Sequence, residues 1–152
     1  MSSTFKVQNL KFRNIFLYCL LLTVCCSLNC GIRNVEKPEC AETRDAVKKF
    51  YSFHFGNDMK PTKENLQLRE KYLTDELKQK LAAGNDGKTD YFTATDDYPK
   101  AFRVAGCAAE NENKTITEVL LFWKDDKRSE QREIKVESVK QNNNWLINQV
   151  GN

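Results

Sequence analysis

Apolar residues along this chain follow three successive patterns. Ile15–Leu28 (IFLYCLLLTVCCSL) is a fourteen-residue run without a charge. From Ala41 the apolar positions recur at helical spacing. Val47, Phe50, Tyr51 and His54 fall at i, i+3, i+4 and i+7, and Ala46 and Phe53 widen the stripe. Gly56-Asn57 supplies a C-terminal stop. Pro61-Thr62 opens a second helical stretch with Thr62 as its N-cap, and Leu66, Leu73, Leu77 and Leu81 mark one face. Thr74-Asp75-Glu76 offers a fresh cap followed by acids in a first turn, so the stretch also reads as two short helices. Ala82–Gly84 ends it, and 85–98 is a loop rich in Gly, Asp and Thr.

After Pro99 the period becomes two. Phe102 and Val104 alternate with Ala101, Arg103 and Ala105. In Thr115–Trp123, Val119, Leu121 and Trp123 share one face while Ile116, Leu120 and Phe122 share the other, the pattern of a central strand. Lys124–Ser129 is a charged turn. Ile134 and Val136 share a face and Val139 falls on the opposite one, which predicts a bulge near Ser138. Gln141–Asn144 is an Asn-rich hairpin turn, and Trp145–Val150 is a last strand. Helices followed by an antiparallel meander define an α+β domain, with N-terminal helices packed on a roughly four-stranded sheet. The expected organisation is a signal peptide over 1–30, a tether over 31–40 and a single domain over 41–152.

The first apolar run is preceded by a polar, basic stretch, Met1–Arg13, and followed by Asn29, Cys30 and Gly31. That is the layout of a secretory signal. An uncleaved anchor is the alternative, because nineteen uncharged residues run from Asn14 to Ile32 and a membrane span needs about 20. A plain buried helix is the third reading. Cys30 stands where a bacterial lipoprotein carries its lipid, although Ser27, Leu28 and Asn29 before it match a lipobox poorly. Cys25, after Leu22, Thr23 and Val24, is the second choice. Val104–Cys107 spells a better lipobox but lies in mid-chain, where it reads as a strand.

This leader changes the meaning of the charge. The whole chain carries +3, but its first 35 residues hold Lys6, Lys11, Arg13, Arg33 and no acid. Without them 20 basic residues face 21 acidic ones, so the domain is near neutral and lacks the basic stripe of a nucleic-acid binder. Of six cysteines, Cys40 and Cys107 lie outside the leader. In an oxidising compartment they admit one pairing, worth about 4 kcal/mol by loop closure. Two free thiols are the alternative.

Three segments carry a family likeness: Thr89–Cys107 (TDYFTATDDYPKAFRVAGC), LLFWKDD at 120–126 and SEQREIKVESVKQNNNWLINQV at 129–150. They resemble a family of exported bacterial proteins of unknown function whose fold is similar to the nuclear transport factor 2-like or cystatin-like cone. The likeness covers roughly residues 41–152. It implies export and a curved sheet wrapped on the long helix with a pocket between them, and it brings no catalytic residues.

The chemistry is sparse. His54 is the only histidine and lies on an apolar stripe, which excludes a His-rich metal site and points to a packed structural role. Asp86, Asp90, Asp96 and Asp97 share one loop, but Lys88 stands where a calcium ligand belongs and Gly87 comes too early. No metal or cofactor is expected. Tyr91, Phe92 and Tyr98 interleave with those acids. Asp96, Asp97, Tyr98 and Tyr91 are the candidates for a pocket mouth, while Phe92 and Tyr98 also suit pinning the loop to the sheet. Trp123 and Trp145 fit cross-strand packing, with ligand stacking as the alternative. No phosphate loop, CxxC, GxSxG or HExxH motif occurs, and the sequon Asn113-Lys114-Thr115 matters only in a eukaryotic secretory route. The expected function is an exported, lipid-anchored, non-catalytic module that binds a small ligand or an envelope protein. The alternatives are an inhibitor or immunity-type protein acting on a secreted partner, and a small enzyme using a Tyr/Asp pair for proton transfer.

Overall fold

A computed structural model describes residues 36–84 and 88–151. The signal, the tether up to residue 35, the lipidation candidates Cys25 and Cys30, and Asp86 lie outside the described residues.

Helix α1 spans Pro38–Phe55 and begins three residues ahead of the predicted start. Pro38 is the reason: its fixed φ and missing N–H suit the first helical position, so it opens the helix instead of ending a tether. Cys40 therefore sits in the first turn. The predicted stripe is the buried one, running Cys40, Thr43, Val47, Phe50, Tyr51 and His54. The Leu66–Leu81 stretch is divided, as Thr74 foretold. Helix α2 is Lys63–Gln67, a 3-10 turn covers Glu70–Tyr72, and helix α3 is Asp75–Ala83. Thr62 caps α2 by accepting from the Asn65 N–H at 3.2 Å, and Thr74 caps α3 by accepting from the Leu77 N–H at 3.3 Å.

Four antiparallel strands follow in meander order: β1 Ala101–Asn111, β2 Lys114–Lys124, β3 Ser129–Gln141 and β4 Asn144–Gly151. Strand β2 lies between β1 and β3, as its two apolar faces predicted. Its Val119, Leu121 and Trp123 are buried in the core, whereas Ile116 and Phe122 on the other face stay half-exposed. The β3–β4 ladder shifts register between Glu137 and Ser138, which is the predicted bulge. Asn142 and Asn143 adopt φ of 48° and 66°, the left-handed pair of a two-residue hairpin turn whose twist matches the strands. The helices cover one face of the sheet, and Val47, Phe50, Tyr51, Leu73, Leu77, Phe92 and Ile134 join the strand residues in a single core. Leu73 bridges Ile147 in parallel, so the helical layer is stitched to the β4 edge. Among the described residues, no helix is long and apolar enough to cross a membrane.

Candidate functional site

The polar groups of this domain fall into a sealed set and an open set. The sealed set centres on His54, which is fully buried. Arg69 Nε donates to His54 Nδ1 at 2.7 Å. That leaves Nε2 to carry the ring proton and to donate to Asp90 Oδ2 at 2.8 Å. The chain of contacts is thus a guanidinium cation, a neutral imidazole and a carboxylate. Arg69 also donates to the carbonyls of Asn65 and Asp58, and Asp90 also accepts from the Thr93 hydroxyl and the Phe92 N–H. The imidazole stacks on Phe50 with ring centroids 5.6 Å apart. Burial pulls the Arg69 pKa down, while Asp90 and Asp58 hold it up. Arg69 is 1% and Asp90 2% exposed, so the network ties α1, the α2 region and the 88–100 loop together out of reach of solvent. The sequence located His54 but missed its partners. The available signal was Arg69 itself, placed three residues after Leu66 and four before Leu73 on the inward stripe.

The four residues predicted to form a pocket mouth separate along their loop. Tyr91 is half-buried, and its hydroxyl accepts from the Val150 N–H on β4 at 3.2 Å. Asp96 is exposed. Asp97 is exposed too. Its carboxylate pairs with Arg128, and its carbonyl accepts from Trp123 Nε1. Tyr98 is half-buried, and its hydroxyl pKa is raised by desolvation and by Asp90. None of the four lines the groove described next. Phe92, at 1% exposure, packs into the core and pins the loop, as the sequence allowed.

The open set lines a groove of about 870 Å³ between α1 and the β3–β4 hairpin. Val47, Phe50, Ser138 and Ile147 contribute buried residues to its lining. Glu42 is its organising group. One carboxylate oxygen accepts from Lys140 Nζ at 2.8 Å and from Trp145 Nε1 at 2.9 Å. These two bonds lower the Glu42 pKa, so it remains an anion and fixes the hairpin against the helix. Asn142 and Asn143 stand exposed at the tip in their preset turn. Ser138 Oγ is buried and has no hydrogen-bond partner among the described residues. Acids (Glu42, Asp45, Asp75) and lysines (Lys49, Lys71, Lys140) balance around the groove. The result is a polar, near-neutral recess with one indole in its wall, without a nucleophile–base pair and, among the described residues, without a cluster of metal ligands.

Near this end of the domain, Cys40 and Cys107 are joined in a disulfide with Cα atoms 5.6 Å apart, the pairing the sequence offered. It fastens the first turn of α1 to β1. Thr115 and Thr117 on β2 are buried there without partners for their hydroxyls among the described residues. Thr117 sits opposite Cys107 in the ladder. The helix therefore covers a partly polar stretch of sheet at this end, where the apolar contribution to docking is smaller and the covalent clamp matters more.

Two solved structures are similar to this chain. A chain of the type VI native effector–immunity complex Tae3–Tai3 from Ralstonia pickettii superposes with a TM-score of 0.55 at 16% identity, covering 71% of this chain and 92% of that one. A protein of unknown function from Bacteroides thetaiotaomicron aligns at 17% identity over 78% of this chain and 92% of its own, with a TM-score of 0.44. No family model matches the chain, and no curated protein matches its sequence. The first likeness establishes a common α+β fold and nothing narrower.

Proposed function

We propose that this chain is an exported, non-catalytic recognition module of the bacterial cell envelope, and that it binds a secreted protein partner as an inhibitor or immunity-type protein. The observation that carries this reading is the division of its polar groups. The one histidine and its carboxylate are locked in the interior, while the recess between α1 and the hairpin is open, charge-balanced and framed by a preset two-residue turn. A recess of that kind suits a protein segment, which brings its own amides and hydroxyls, better than it suits acid–base chemistry. The fold shared with a chain of an effector–immunity complex supports the choice of partner class. The basic stretch and apolar run at the N-terminus support export, with the anchor supplied by a lipid on Cys30 or Cys25 or by an uncleaved signal. The helix-then-meander order is read here as a variant of the nuclear transport factor 2-like or cystatin-like cone.

The test is native mass spectrometry of the full chain recovered from its own host, with Trp145→Ala/Lys140→Glu as the comparison. The reading predicts a complex of fixed stoichiometry with a secreted protein, lost in the variant although the variant stays folded. A free polypeptide, or a complex the variant keeps, refutes it.

A further inference from the structure

A second recess shares no lining residue with the first and has a different chemistry. Residues of α2, the 3-10 turn and α3 line a groove of about 460 Å³, within the roughly 300–1,000 Å³ of small-molecule sites. Of its apolar lining, Pro61, Leu73 and Leu81 are buried and form the floor, while Leu66 is half-buried and Ala82 exposed. Its polar lining contains Lys63 and Lys78, with Gln67 and Glu70. The two helical walls repeat one pattern. Lys63 precedes Leu66 by three and Gln67 by four, and Lys78 precedes Leu81 by three and Ala82 by four. Each wall therefore presents an ammonium and a leucine on the same helical face. Lys78 Nζ is held by Asp75 at 2.8 Å, and Lys63 makes no ion pair with a described residue. Glu70 is the one acid among the described residues of the lining.

We infer that this groove is a binding site for a single-chain aliphatic carboxylate, a free fatty acid, with the acyl chain along Leu66, Leu73 and Leu81 and the carboxylate on Lys63. Burial of methylenes supplies most of the affinity, so chain length dominates and Lys63 selects the sign of the head group. The site shares no lining residue with the partner-binding groove, so either proposal can fail alone.

The test titrates the full chain in detergent-free buffer with dodecanoate below its micellar concentration, read by amide chemical shifts. The expected result is saturable binding with shifts at Leu66, Leu73 and Leu81. Lys63→Glu weakens it about tenfold, Ala82→Trp abolishes it by filling the groove from an exposed position, and dodecyltrimethylammonium binds at least tenfold more weakly. Three results overturn the inference. One is an absence of saturable binding. Another is equal binding of the anionic and cationic amphiphiles. The third is shifts concentrated at exposed Leu68 or at Phe122, which indicate non-specific partition.

Discussion

Replacing Asp90 with asparagine removes a charge and almost no volume, which makes it a clean probe of the interior network. The side chain keeps an oxygen for His54 Nε2, but the buried Arg69 guanidinium loses the anion that offsets its desolvation. Breaking one side of a buried charge pair costs about 3–5 kcal/mol, and the retained hydrogen bond places Asp90→Asn near the lower figure. Arg69→Met removes three hydrogen bonds, to His54 Nδ1 and to two carbonyls, and leaves Asp90 uncompensated, so it belongs near the upper one. The double variant has no isolated charge left. Its cost should be no more than that of the worse single variant, which gives a coupling of about 2–3 kcal/mol. Urea denaturation with the disulfide intact measures all three, with unchanged m-values as the sign that only stability has moved. Single losses below about 1 kcal/mol, or costs that simply add, refute the network as drawn.

Other outcomes follow from the same structure. In nitrogen-resolved NMR, His54 should show a protonated Nε2 and a bare Nδ1, the tautomer dictated by the Arg69 donor. Tyr51 donates to the Phe92 carbonyl at 2.7 Å in full burial, and burial raises its pKa well above 10.0. The neutral phenol is the folded form. Its contribution is complete below about pH 10 and is lost above it, where the unfolded chain sheds the proton. Tyr51→Phe should therefore lower stability by about 1 kcal/mol at pH 7 and flatten the alkaline decline in denaturation curves. Cys40→Ala/Cys107→Ala should cost about 4 kcal/mol, and hydrogen exchange should rise first in the opening turns of α1. Asn143→Val places a β-branched residue at φ 66° and should cost about 1–2 kcal/mol by thermal unfolding, whereas Asn143→Gly should be near neutral.

Much of the scaffold was legible because local chemistry and tertiary packing agree in it. The α1 stripe, the caps at Thr62 and Thr74, the bulge at Ser138 and the Asn142-Asn143 turn all follow from periodicity or backbone preference. The start of α1 was misplaced because Pro38 serves equally as a stop signal and as a first helical residue. Sites were harder to read, since they join distant segments. Glu42 meets Lys140 and Trp145 across about a hundred residues, and nothing in the local pattern of any of the three marks the others. Asp90 looked like its loop neighbours Asp96 and Asp97, and only the fold turns it inward while they face solvent. The second apolar row of β2 was legible as apolar, yet the helices cover only the first.

The proposal that the α1/β3–β4 groove recognises a secreted protein is tested most directly by site-specific photo-crosslinking in the native host. One probe is placed at Asn143 on the hairpin tip and a control at Asp126, in the β2–β3 turn at the opposite end of the sheet. Recognition through this groove predicts one discrete protein adduct from position 143 that disappears when Glu42→Ala and Trp145→Ala are combined, with no adduct from position 126. No adduct at 143, or the same adduct from both ends, contradicts it.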